Sequence, residues 1–134
     1  MRKAGTINDS QLEKTIQEII QSKAQSKIYL FLLRKNHSKT EDIIKGTHLH
    51  PSTVRESLVR MHKKQLILRV KIKNDAIGKN PYVYAPLPPI LLIKKHVADL
   101  EYRLNNLVSI SGRDKQDKPM HTIHINISNG GDMQ

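Results

Sequence analysis

Two helix-start signals lie only twelve residues apart in this chain, and that spacing is its tightest folding constraint. Ser38-Lys39-Thr40-Glu41 has the form of a capping box, a hydroxyl at the N-cap answered by a carboxylate three residues on. His50-Pro51 is the second signal, an N-cap followed by proline at the first helical position, where a missing N–H costs nothing. The first helix must therefore be short, with Ile43 and Ile44 inward and Gly46 close to its end. Thr47-His48-Leu49 forms the turn. Val54, Leu58 and Met61 then fall at i, i+4, i+7 on a second helix that runs out near Lys64. Two short helices joined by a tight turn make a helix-turn-helix.

Directly behind it the period changes. From Leu68 to Lys73 apolar and basic residues alternate, Leu68, Val70 and Ile72 against Arg69, Lys71 and Lys73. Residues 74–80 supply turn chemistry, and Tyr82-Val83-Tyr84 resumes strand character. A hairpin in that place is the wing of a winged helix, and the alternation predicts a charged outer face over an apolar inner one. Pro86, Pro88 and Pro89 punctuate its end.

Upstream, residues 1–8 read as disordered. Asn8, Asp9 and Ser10 can cap a helix carrying Leu12, Ile16, Ile19 and Ile20. Ser22 and Gln25 have capping-box spacing and suggest a restart, with Ala24, Ile28, Phe31, Leu32 and Leu33 on the second helix, which ends near Asn36. One continuous helix from Ser10 to Lys35 is the competing reading.

Downstream, Ile90, Ile93, Val97, Leu100, Leu104 and Leu107 recur at alternating steps of three and four, a heptad seam on a helix from Pro89 to Val108. The spacing favours dimerisation with a second copy through these six residues; a helix laid against its own domain is the alternative. Ser109 to Lys118 is a polar linker. His121 to Ser128 alternates again, with Ile123, Ile125 and Ile127 on one face, and is either a lone strand seeking an edge or a disordered tail.

Charge now becomes informative. The chain has 23 Lys+Arg against 12 Asp+Glu, a formal net of +11. Between Lys23 and Asn80 the count is 14 basic residues against four acidic, so nearly the whole excess lies over the helix-turn-helix and wing. A polyanion is the partner such a distribution fits. Without cysteine there is no disulfide framework, thiolate metal site or cysteine nucleophile. No apolar run is long enough to span a bilayer, and the first ten residues lack a secretory signal, so a cytoplasmic, nucleoid-associated protein is expected, without membrane contact. No Gly-rich phosphate loop exists and no acidic pair is placed with a histidine for acid–base work, so no enzyme is expected. His48 and His50 flank the turn, and His121 and His124 fall on opposite faces of a strand. Neither pair makes a metal site, and no cofactor is expected.

Residues 21–85 resemble the DNA-binding domain of TrmB-type archaeal transcriptional regulators, within the winged-helix group that includes MarR- and ArsR-like proteins. The resemblance is carried by Ser26 to Leu33 in the first core helix, Pro51 to Leu58 in the second helix of the motif, and Lys64-Gln65-Leu66-Ile67 leading to the wing. Where the family usually has Lys-Gly-Leu-Val, this chain has Gln65 in place of the glycine. The helix after the wing resembles the dimerisation helix of such regulators. Larger members carry a C-terminal sugar-binding domain; nothing here is long enough to be one, so ligand sensing is not carried over.

Placed on a helical wheel, Val54, Leu58 and Met61 define the buried side. Ser52, Glu56, Arg60 and Lys63 then project outward, with Thr53 and Arg55 on the flanks. These are the candidates for base edges and phosphates in the major groove. The wing adds Arg69, Lys71, Lys73 and Lys79 for the backbone or the adjacent minor groove. The expectation is a mainly α fold with a small β-hairpin (α+β), a winged helix-turn-helix with a C-terminal dimerisation helix. Its parts are an N-terminal extension (1–21), the DNA-binding domain (22–88), the coiled-coil-like helix (89–108), and a linker with a strand or tail (109–134). The expected function is sequence-specific binding of double-stranded DNA as a homodimer. The rivals are a winged helix that docks transcription machinery and a sequence-independent chromatin protein.

Overall fold

Gln21 separates the first two helices. The structure, a computed structural model, describes residues 8–72, 82–111 and 121–130. Within them α1 (Asp9–Ile20) starts where the Asn8 side chain accepts from the Gln11 N–H at 2.8 Å. It stops at Gln21, whose φ of 61° is left-handed. Ser22 then caps α2 (Lys23–Arg34), its hydroxyl oxygen accepting from the Gln25 N–H at 3.2 Å. The restart is what the capping-box spacing indicated, and the single long helix is not formed. Ion pairs Lys27–Glu13 and Arg34–Asp9 join the two helices. Both are solvent-accessible, so the burial of Ile16 and Ile20 is the larger contribution to α1 packing.

The core is aliphatic and centred on α2, whose Ile28, Tyr29 and Leu32 are fully buried. Ile43 joins from α3 (Thr40–Thr47), Val54, Leu58 and Met61 from α4 (Pro51–Lys63), and Ile67 from β1 (Ile67–Lys71). The Tyr29 hydroxyl donates to the Leu87 carbonyl at 2.6 Å, tying down the chain just past β2 (Tyr82–Pro86). Burial raises that phenol from 10.0 to about 12. The chain forms two compact units, Met1–Pro88 and Pro89–Gln134.

Ser38 is not the N-cap of α3; Lys39 is, its N–H donating to the Asp42 carboxylate at 3.5 Å. Ser38 is engaged elsewhere. Its N–H donates to the Tyr84 carbonyl at 3.0 Å and its carbonyl accepts from the Tyr84 N–H at 2.8 Å, while its hydroxyl donates to the Lys35 carbonyl. This bridge fastens the entry of α3 to β2. Gly46 is helical, and it owes its identity to Phe31: a Cβ at position 46 would lie 2.0 Å from the ring. The left-handed cap of α3 falls instead on His48, φ 60°.

α4 ends in a Schellman turn, with Leu66 N–H donating to Met61 carbonyl at 2.9 Å and Gln65 left-handed at φ 62°. That backbone conformation accounts for the glycine usual at this place in the resembling family. β1 and β2 then pair antiparallel, Ile67 opposite Pro86 and Lys71 opposite Tyr82. One expectation is reversed here. Arg69 and Lys71 share their face with Ile67 and Tyr84, which are buried, whereas Leu68 and Val70 lie on the other face, 52% and 55% exposed. Alternation groups residues by face. It does not say which face turns inward, and Ile67 and Tyr84 settle that.

In the second unit α5 (Pro89–Ser111) is 23 residues, three longer than its pattern indicated. Residues 121–129 are neither strand nor turn, and they run along α5. Ile123 N–H donates to Asn105 Oδ1 at 2.6 Å, Asn105 Nδ2 donates back to the Ile123 carbonyl at 3.0 Å, and Ile125 N–H donates to Glu101 Oε2 at 2.8 Å. Four residues of helix advance about 6 Å and two of extended chain about 6.6 Å. Glu101 and Asn105 can therefore serve alternate amides as a strand edge would. The expected disordered start, the wing tip with Lys73 and Lys79, and most of the polar linker lie outside the described residues.

Candidate nucleic-acid interface

The turn between α3 and α4 is built from histidines. His48 takes the left-handed position, and His50 caps α4, its Nδ1 accepting from the Ser52 N–H at 3.2 Å and lying 2.8 Å from Ser52 Oγ. With Pro51 at the first helical position, these contacts set where α4 starts and so which residues face out.

Val54, Leu58 and Met61 are buried, joined by Ser57, which the wheel had not assigned inward. Ser52, Arg55, Glu56, Arg60 and Lys63 are exposed and Thr53 is half-buried. Val59, 55% exposed, lies near the middle of the outward face beside Ser52 and Lys63. Its spacing alone marks the place, seven after Ser52 and four before Lys63.

The ribbon contributes Arg69 and Lys71, both exposed. The Arg69 guanidinium carbon stands 4.5 Å from the centroid of the Tyr82 ring, a cation–π contact. Between α4 and the ribbon is a concavity of about 160 Å³ lined by Thr40, Arg55, Leu58, Val59, Arg69 and Tyr84. Two of the sequence-derived cations are thus brought to one place, and Thr40, Val59 and Tyr84 join them unforeseen. The concavity has no carboxylate in its lining. In the second unit, Ile90, Ile93 and Leu107 of the seam are exposed, and Val97, Leu100 and Leu104 are half-buried.

Among the described residues no group of three or more His, Asp or Glu could hold a metal ion, and no helix is long and apolar enough to cross a membrane.

Residues 22–90 match the family model described as sugar-specific transcriptional regulator TrmB. The chain belongs to the TrmB family. This TrmB-family chain is a DNA-binding transcriptional regulator of winged-helix type, and the matched stretch holds α2 to β2 with the first two residues of α5. The remainder of α5, with most of the seam, lies outside the match. Among solved structures, the regulator is similar to a possible transcriptional regulator from Methanosarcina mazei Go1, at 21% identity and a TM-score of 0.61, over 84% of this chain and 97% of that one. It is also similar to a MarR family transcription regulator, at 16% identity and a TM-score of 0.50, over 78% of this chain and 67% of that one. At these identities the likeness is one of fold. No match was found among curated proteins.

Proposed function

We propose that this regulator binds duplex DNA sequence-specifically as a homodimer, α4 entering the major groove and the ribbon lying on the backbone or in the adjacent minor groove. The outward face of α4 carries the reading. Ser52, Glu56, Val59 and Lys63 run down its middle and Arg55 and Arg60 flank it, so donors, an acceptor and an apolar contact all stand clear of the fold. Arg suits guanine and phosphate, Glu suits cytosine N4, and an apolar side chain suits the thymine methyl. Lys71 adds charge along the ribbon, and Lys73 and Lys79 extend it in sequence toward the wing tip. Pairing of α5 through Ile90, Ile93, Val97, Leu100, Leu104 and Leu107 would set two α4 helices on half-sites about one helical turn apart.

One observation favours a second reading. Leu68 and Val70 leave an apolar outer face on the ribbon, which suits a winged helix that docks transcription machinery.

Selection of sites from random duplex tests the two. A palindromic site, lost in Arg55→Ala plus Arg60→Ala while sedimentation still shows a dimer, is the expected result. Selectivity retained by that variant, or no selectivity in the unaltered chain, would sink the reading.

A further inference from the structure

We infer that Arg55 and Arg69 grip one and the same DNA phosphodiester, held in the concavity between α4 and the ribbon, and that Tyr82 positions Arg69 for it. The inference rests on the duplex-binding reading and deepens it.

Four observations converge. The two guanidinium-bearing side chains come from different elements, yet line one space of about 160 Å³. Its other lining residues, Thr40, Leu58, Val59 and Tyr84, bring no carboxylate to compete for them. Arg34 and Arg103 are matched within the protein, with Asp9 and Asp99, whereas Arg55 and Arg69, like Arg60, have no ion-pair partner among the described residues. The walls are also stiff. Leu58 and Tyr84 are buried, and Tyr84 is hydrogen-bonded through its main chain to Ser38 on both sides.

The Tyr82 contact explains why Arg69 is ready to bind. A contact with the ring face uses no hydrogen-bond acceptor, so it leaves the guanidinium N–H donors available. A long side chain otherwise loses rotamer freedom when it closes on a ligand. Here much of that freedom is already gone in the unbound protein. Two arginines with no carboxylate in the concavity's lining, one of them held by a ring, are suited to a phosphate's geometry.

Phosphate chemistry could come from the duplex backbone or from a soluble anion, and the assignment is to the backbone. The test uses the full chain and its selected duplex, with each phosphate in turn replaced by a neutral methylphosphonate. One position per half-site is expected to weaken the unaltered protein about tenfold or more, the usual scale for a charge-assisted hydrogen bond. That same position should matter less to Arg55→Ala and to Arg69→Ala and not at all to the double variant, and the double variant should flatten the log K against log salt slope by about 1.8, about 0.9 for the one phosphate of each half-site. Tyr82→Leu should weaken binding about threefold while keeping the sensitive phosphate in place. If the Arg55 and Arg69 variants lose sensitivity at two different phosphates, the shared grip is wrong although duplex binding stands. If the unaltered chain selects no duplex, the functional reading fails first. Saturable binding of inorganic phosphate, lost in both variants and unaffected by duplex, would overturn the backbone assignment in favour of a soluble anion.

Discussion

Gly46→Ala isolates the contact that sets α3 against α2. An added Cβ would stand 2.0, 2.6 and 2.7 Å from three carbons of the Phe31 ring, where carbon pairs are at ease near 3.5–4.0 Å. The ring must withdraw by roughly 1.5 Å, at the cost of about 1–3 kcal/mol typical of an overfilled site. Alanine recovers about 0.8–1 kcal/mol over glycine inside a helix. Phe31 is only half-buried and can swing partly into solvent, which keeps the cost out of the upper end of that range. With a steric cost of about 1–2 kcal/mol, a net loss of up to about 1 kcal/mol remains, lowering the midpoint of this small unit by up to about 8 °C. Thermal unfolding followed by circular dichroism measures it in a double-mutant cycle. In a Phe31→Ala background the clash partner is gone, and Gly46→Ala should be neutral or stabilising, a coupling of about 1–2 kcal/mol. A Gly46→Ala chain that melts higher than the parent, or a cost that survives Phe31→Ala, would refute the steric argument.

Two further outcomes are expected. Gln65→Gly should stabilise the chain by about 0.5–1 kcal/mol. A left-handed residue with a side chain carries about 1–2 kcal/mol of strain, and the freer unfolded glycine offsets part of that. The urea midpoint should rise at unchanged slope, and a fall would mean that the Gln65 side chain contributes more than its strain. Alkaline stability reports Tyr29. Its folded value of about 12 lies above the ordinary 10.0, so its contribution is complete below pH 10 and is lost as pH climbs from 10 toward 12. The loss reaches about 2–3 kcal/mol, since the unfolded phenol ionises first. Tyr29→Phe should remove that component of the decline between pH 10 and 12. Identical declines in parent and variant would show that the buried phenol does not matter.

Much of the architecture was legible because it is written in local chemistry. Ser22 and His50 open helices through groups two or three residues away, Pro51 through its own ring, and a change of period from about four to two marks where helix yields to ribbon. Misreadings arose where a partner distant in sequence competed for the same group. Ser38 looked like a cap and became a bridge to Tyr84, 46 residues on. Ile123 and Ile125 fitted either a strand in search of an edge or a disordered tail, and their amides found Asn105 and Glu101 on a helix. The outward residues of α4 could be listed from a wheel, but nothing in their spacing announced that Arg55 would share a concavity with Arg69.

By itself, then, the sequence determined the order of the helices and most of their starts, the alternation of the ribbon, the concentration of positive charge between residues 23 and 80, and membership of a regulator family. Each is a property of neighbouring side chains or of composition. Only the tertiary structure decided that the ribbon turns Arg69 rather than Leu68 toward α4, that Tyr82 braces that arginine, and that the last segment rests on helix side chains. Inside and outside are relations between elements. Alternation specifies two faces of equal standing, and burial of Ile67 and Tyr84 against the helices breaks the tie.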